Sequence, residues 1–526
     1  MGNTKLLEKK NFIDQCIRNG VLLNKEFLDS IDDFSAVNPL DLARKDMAVI
    51  ARYNTKDLAE LSPQEIERKT VYIEKKRQIS ALEIASPGSD PGPKDPLAEH
   101  MHGVRGNALL GTIKVVHSYS EKAKKREVQD FVGYFNARYR SIEKLLRNRQ
   151  ELGAVTSISR VLTKKDKETV SVIGMVKEIN LTKNGNMSMT IEDPSGEINI
   201  IVNKTKPRLF SFACNITPDE ILGVTGANSN KVIFANNIIH PDIPNKEMKK
   251  CNDETYALFL SDLHVGSNHF LEEKFERFLK WINQESGNDE QRNIAAKTKY
   301  IFFLGDIVDG VGVYPNQELD QNIKDVNAQY EKCFELFSKI PSHINLIICP
   351  GNHDALRIEE PQPPFYPDFS GRFLQIPNAT YVSNPSFVNI HSSENFSGFD
   401  VLIYHGYSFD YYIANIDQIR TSGGYDRADL VMKYLLERRH LAPTHTSTLY
   451  IPDSEKDILV IEQVPDFFVT GHLHKTSVSQ YKATTLISGS CWQDITNYQI
   501  KVGHHPEPGR VPVVNLKTRE MRILRF

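Results

Sequence analysis

The spacing of apolar residues changes character several times along the chain. Over residues 1–60, Leu6, Leu7, Phe12, Ile13 and Cys16 recur at helical spacing, and Phe27, Leu28 and Ile31 repeat it, which predicts a small helical module. The polar stretch 61–105 includes a segment, 86–96, with four prolines and two glycines in eleven residues. Such a segment has too little apolar surface to order itself and reads as a flexible linker. Residues 106–153 read as a basic helical segment, because Val128, Phe131, Val132, Phe135, Tyr139, Ile142, Leu145 and Leu146 fall on one helical face. Between 154 and 245 the period drops to two. Short runs at 170–176, 187–191, 198–202, 221–225 and 232–234 predict a five-stranded barrel of the oligonucleotide/oligosaccharide-binding kind, the OB-fold. Few aromatics lie on these runs, which favours packing on a neighbour over stacking of bases.

From 255 to 526 the runs become continuously apolar, as strands buried on both faces require, and helical segments separate them. This predicts a layered α/β domain whose ligands sit at the carboxyl ends of strands. Chemistry-bearing residues follow each run at once. The run 255–260 leads into Asp262-Leu263-His264, 300–304 into Gly305-Asp306-Ile307-Val308-Asp309, and 344–349 into Gly351-Asn352-His353-Asp354. The run 401–404 leads into His405-Gly406, and 466–470 into Gly471-His472-Leu473-His474.

Composition narrows this picture only a little. Among 526 residues, 64 Lys+Arg against 67 Asp+Glu give a formal charge of −3, which excludes a globally basic nucleic-acid coat. A local excess remains: residues 122–149 hold nine Lys/Arg and three Asp/Glu. That excess reads either as a nucleic-acid contact or as the solvated face opposite a packed stripe. Six cysteines without a C-x-x-C pair argue against a zinc ribbon or a disulfide framework and for a reducing, cytoplasmic setting. No apolar run approaches a membrane span, so no membrane partner is expected.

Asp, Asn and His without thiolates suit two divalent ions such as manganese, iron or zinc. If D-x-H and H-x-H are extended, residues two apart point the same way and each pair can clamp one ion. Asp306, with two carboxylate oxygens, can bridge a pair of ions. Two ions can activate a water and neutralise a phosphoryl group. His353 then stands as the proton donor to the leaving oxygen, with Asp309 orienting it.

Taken together, D-x-H, G-D-x-x-D, G-N-H-D, H-G and G-H-x-H resemble the signature of the calcineurin-like metallophosphoesterases. That resemblance implies a first metal on Asp262, His264, Asp306 and His474, a second on Asp306, Asn352, His405 and His472, and His353 as the catalytic histidine. Segments 261–267, 305–315, 351–363, 438–443 and 464–466 further resemble the small subunits of archaeal family D DNA polymerases. Their likeness implies a 3′→5′ exonuclease with Mn²⁺ as the preferred ion (Fe, Zn or Mg²⁺ as alternatives). It also implies two partners, a large catalytic polymerase subunit and DNA. It names no DNA-contacting residue.

Overall fold

The computed structural model describes residues 112–120, 124–496, 499–500 and 504–526. The expected helical module at 1–60 and linker at 61–105 lie outside the described residues. Every described strand and helix belongs to one of the two units into which the chain divides, Lys94–Lys122 together with Arg126–Phe526.

Five strands form a closed barrel: β2 (Thr169–Leu181), β3 (Met187–Asp193), β4 (Gly196–Val202), β5 (Ile221–Ser229) and β6 (Val232–Ile239), in the order β2-β3-β4-β6-β5. Pairing of β2 with β5, from Thr169 opposite Ala227 to Met175 opposite Ile221, closes the ring. The period-two pattern places Val170, Val172, Met189, Ile191, Ile200, Val224 and Ile233 in one core.

The remaining strands build two six-stranded sheets. One has the order β10-β9-β8-β7-β16-β17. Its strands are β7 (Tyr256–Leu260), β8 (Thr298–Leu304), β9 (Asn345–Cys349), β10 (Ala379–Tyr381), β16 (Arg510–Asn515) and β17 (Met521–Arg525). The other has the order β1-β11-β12-β13-β15-β14. Its strands are β1 (Ile113–Ser118), β11 (Ser386–Ile390), β12 (Phe399–Ile403), β13 (Phe467–Thr470), β14 (Ser477–Tyr481) and β15 (Thr484–Ser488). Alternation along a strand explains the layering. From β7, Ala257 and Phe259 enter a core shared with Val401 and Ile403 of β12 and Phe467 and Val469 of β13, so the sheets pack face to face. Leu258 and Leu260 point the other way, into a core with Phe275, Phe278, Tyr330 and Phe337 of flanking helices. Leu402 and Phe468 face the helices on the opposite side. Strands β7, β8 and β9 run parallel, as do β12 and β13, so their carboxyl ends gather at one edge of each sheet.

Two expectations need correction. Residues 106–153 are not uniformly helical, because Ile113–Ser118 forms β1, an edge strand antiparallel to β11. The β-branched Ile113, Val115 and Val116 fit a strand better than a helix. Helix α1 (Val128–Leu146) exists, but its buried face is Tyr134, Ala137, Arg138, Tyr139, Ile142 and Leu146. Val128 and Val132, expected inside, are exposed. Arg138 turns the helix: its Nε lies 2.7 Å from Asp457 Oδ2, and its Nη1 donates to the Pro443 carbonyl at 2.8 Å. A buried arginine with a carboxylate partner outweighs a periodicity count. It also removes one positive charge from the surface excess.

The barrel meets the phosphoesterase sheets through a second buried charge. Glu220, at the barrel, forms an ion pair with Arg438 at 2.9 Å and accepts hydrogen bonds from Tyr434 Oη at 2.6 Å and Thr217 Oγ1 at 2.9 Å. Burial opposes ionisation of Glu220, but Arg438 and His240 hold its carboxyl down at about 2.

Candidate metal centre

The structure brings together all nine residues singled out in the sequence. They lie in loops that leave the carboxyl ends of β7, β8, β9, β12 and β13, tied to one another by backbone hydrogen bonds. Asp262 N donates to Gly305 O at 3.1 Å, His264 N to Asp306 O at 3.0 Å and Gly471 N to His405 O at 2.9 Å. Glycine lets these loops come so close. A Cβ on Gly351 would collide with Asp306 Oδ1, and one on Gly305 with His405 Nδ1.

Five of the seven candidate ligands have left-handed backbone: Asp262 (φ 52°), His264 (φ 52°), Asp306 (φ 50°), His472 (φ 71°) and His474 (φ 56°). The pairs at D-x-H and H-x-H are therefore tight turns rather than extended strand. This costs about 1–3 kcal/mol per residue and is held in place by the surrounding fold. The turn geometry also corrects the idea that each pair clamps one ion. His474 Nε2 lies 3.1 Å from His264 Nε2 and 3.4 Å from Asp262 Oδ1. His472 turns the other way, with Nδ1 at 3.1 Å from Asn352 Oδ1. The H-x-H motif is thus shared between two positions.

Around the first position, ligand atoms of Asp262, His264 and His474 lie within 4.8 Å of one another. Around the second, Asn352 Oδ1 sits 3.0 Å from His405 Nε2, and Asp306 Oδ2 sits 3.3 Å from the same nitrogen. Asp306 also approaches His264, at 3.8 Å, so it stands between the two positions. Asp262, His264, Asp306, His405 and His474 are buried, whereas Asn352, His353 and His472 reach the open rim.

The electrostatics fit cations. The groups that hold the Asp262 and Asp306 carboxylates ionised are imidazoles, not lysine or arginine. Burial would raise the Asp306 carboxyl, but His405, His353 and His264 hold it well below the usual carboxylate range. Asp262 is lowered by His474 and His405 against the same burial. Burial would lower His405, yet Asp306 and Asp262 push its imidazole up to about 10. Buried carboxylates whose charged neighbours are histidines, with an amide oxygen and no thiolate, form a donor set that suits hard to borderline divalent cations.

Asp309 acts differently from expectation. The His353 ring meets its backbone carbonyl, with Nδ1 at 2.9 Å from the oxygen. Its carboxylate instead stands 3.4 Å from His264 Nδ1 and accepts from Gln317 Nε2 at 2.8 Å and Gln321 Nε2 at 2.9 Å. That places a carboxylate behind the His264 ring, as in the carboxylate–histidine pairs that orient metal ligands. A second carboxylate of this kind, Asp410, was not foreseen; its Oδ2 lies 3.0 Å from His472 Nε2. Burial opposes ionisation of Asp410, but His472 keeps its carboxyl lowered. Gln499 Nε2, a donor rather than a carboxylate acceptor, lies 2.9 Å from His474 Nδ1. Gln499 stands far from the motifs in sequence, whereas Asp410 follows His405-Gly406 closely, and that proximity is the one signal that could have flagged it.

Comparison with known proteins agrees with this geometry. The family model described as calcineurin-like phosphoesterase matches residues 256–476. A DNA polymerase II small subunit from Methanothermobacter thermautotrophicus is 38% identical over 400 residues, covering 76% of this chain and 80% of its own. The one from Archaeoglobus fulgidus is 36% identical, covering 85% and 86%. The chain belongs to the DNA polymerase II small subunit family of archaea. A Thermoplasma acidophilum small subunit, 30% identical, aligns over 99% of this chain and 93% of its own, so the likeness extends beyond the phosphoesterase domain. Membership makes the protein a phosphodiesterase-type enzyme dependent on divalent metal. No helix among the described residues of this small subunit is long and apolar enough to cross a membrane.

Proposed function

We propose that the chain is the 3′→5′ exonuclease subunit of an archaeal DNA polymerase. In this reading it hydrolyses DNA phosphodiester bonds with two divalent ions, Mn²⁺ foremost, and works in the cytoplasm bound to a large catalytic subunit. The observation that carries this is the convergence of Asp262, His264, Asp306, Asn352, His405, His472 and His474 around Asp306, with His353 beside them at the rim.

Asp262, His264, Asp306 and His474 would hold one ion, and Asp306, Asn352, His405 and His472 the other. Bound there, the pair would supply an activated water and neutralise charge on the phosphoryl group. The chain's own residues do the rest. Asp309 and Asp410 fix the rings of His264 and His472. The Asp309 carbonyl accepts from Nδ1–H of His353, so in the protonated ring the second proton sits on Nε2 and passes to the leaving 3′ oxygen. The backbone N–H of His353 donates to Asp306 Oδ1 at 2.8 Å, fixing the donor relative to the bridging carboxylate.

The test uses end-labelled single-stranded DNA with the full chain, alone and with the large subunit, in Mn²⁺ and in excess chelator. Stepwise shortening from the 3′ end that stops with chelator is the expected result. Full activity in chelator, or shortening only from the 5′ end, would sink the reading.

A further inference from the structure

Beside the second candidate position lies a cavity of about 310 Å³ whose walls include Arg420, Tyr425, Leu473, Lys475, His504 and His505. It is continuous with the metal centre by chain and by hydrogen bonds. Leu473 separates His472 from His474, and Lys475 follows directly. The Tyr425 hydroxyl donates to Asp410, the carboxylate that holds His472. The imidazole of His504, left without a role in the sequence, lies with its ring centroid 3.8 Å from that of Tyr425.

We propose that this cleft is a nucleotide subsite, taking the phosphate and base of the DNA nucleotide adjacent to the scissile bond. This rests on the nuclease reading and deepens it. Its volume is at the small end of ligand pockets, room for one nucleotide and not for a duplex. The Tyr425–His504 pair offers an aromatic wall against which a base can stack. Arg420 and Lys475 supply the positive charge. Arg420 and its partner Asp417 are 55% and 80% exposed, so that pair is worth little and a phosphate can recruit the guanidinium through stronger charge-assisted bonds. Lys475 is only 16% exposed and its partner Asp426 67%, so a phosphate reaching this ammonium has to displace Asp426 from it.

The test measures binding of a fluorescent single-stranded 12-mer by anisotropy, with Mn²⁺, in a His353→Ala background of the full chain that halts turnover. Tyr425→Ala and Lys475→Ala should each weaken binding about tenfold, within the range for losing one stacked base or one phosphate contact. Tyr425→Phe, which keeps the ring and loses the bond to Asp410, should bind normally. With His353 restored, kcat/KM on the 12-mer relative to that on bis(p-nitrophenyl) phosphate, which lacks a base, should fall about tenfold in both alanine variants. A free deoxynucleoside monophosphate should compete for the cleft in wild type and lose that competition in Tyr425→Ala. Unchanged 12-mer binding in both alanine variants would overturn the subsite. So would loss of bound manganese in Tyr425→Ala, since the tyrosine would then act through Asp410 alone. A wild type that hydrolyses the small diester but neither binds nor cuts DNA would instead overturn the nuclease reading itself.

Discussion

Two clusters of buried charge sit in the same chain and are built on opposite principles. At the joint between barrel and phosphoesterase sheets, Glu220 Oε1 meets Arg438, Tyr434 and Thr217, and Oε2 lies 3.2 Å from His240 Nε2. A guanidinium closes that cluster. Around Asp306, the charged neighbours are imidazoles, with one backbone N–H from His353 and no guanidinium. Imidazole neutralises a carboxylate only by holding a proton, so this cluster stays open to a cation. Nearly equal burial therefore marks a structural rivet in one place and a binding site in the other, and the partner type tells them apart.

The sharpest way to break the comparison is to remove one charge from each cluster. Asp306→Asn keeps the shape and deletes the bridge. Nuclease activity should fall to background and bound manganese should drop, read by atomic spectroscopy. In chelator the melting temperature should fall less than in Glu220→Gln, because His405 can release its proton when its carboxylate partner is lost, whereas a buried guanidinium cannot. Glu220→Gln should do the reverse: normal manganese content per folded molecule, and a loss of about 3–5 kcal/mol in stability from stranding Arg438. Swapped signatures would refute the distinction.

His353→Ala separates proton transfer from metal binding. Turnover should fall about 10²–10⁴-fold, the range for general acid–base catalysis, with metal content preserved. Single-turnover rates and metal analysis together decide it; a variant that lost its metal would make His353 a ligand instead.

How far the sequence reached follows the same division. The candidate ligands were legible because each is local to a strand end and its type is chemical: Asp262, Asp306 and His405 announce themselves by position after an apolar run. The barrel was legible from its period of two. The left-handed turns at Asp262 and His474 were not, because D-x-H reads identically in extended and turned backbone. Nor was the register of α1, where Arg138 is drawn inward by Asp457, more than 300 residues along the chain. Strand β1 hid beside a basic stretch, although Ile113, Val115 and Val116 carried a β-branched signal. Partners such as Gln499 and Tyr425 are joined to the site only by tertiary folding, so spacing carries no trace of them, whereas Asp410 lies close behind His405-Gly406.

Asp410→Ala sharpens the comparison at the edge of the open cluster. Loss of a carboxylate behind a ligating histidine typically costs 10–100-fold in metal affinity. Manganese titration of the apo protein should show that weakening, with the melting temperature in chelator close to wild type, since Asp410 lies at the rim. An unchanged titration would mean that His472 is held by Asn352 alone or is not a ligand.

The smallest effect is the pH dependence of the closed cluster. Glu220 has its carboxyl lowered to about 2 in the folded chain, from an ordinary value near 4.5. A lowered carboxyl binds fewer protons folded than unfolded, so its contribution is fully present above about pH 4.5. It is lost as pH falls through the folded value. A shift of that size corresponds to about 3 kcal/mol at neutral pH, of which roughly 2 should disappear between pH 5 and pH 3. Other acids titrate in the same window, so the informative quantity is the difference between wild type and Glu220→Gln. That difference should be widest at pH 6–7 and narrow steadily towards pH 3, measured by urea unfolding in chelator. A difference that stays constant with pH would mean Glu220 is held by shape and hydrogen bonds, with no net charge pairing to Arg438, and the contrast between closed and open clusters would lose its electrostatic basis.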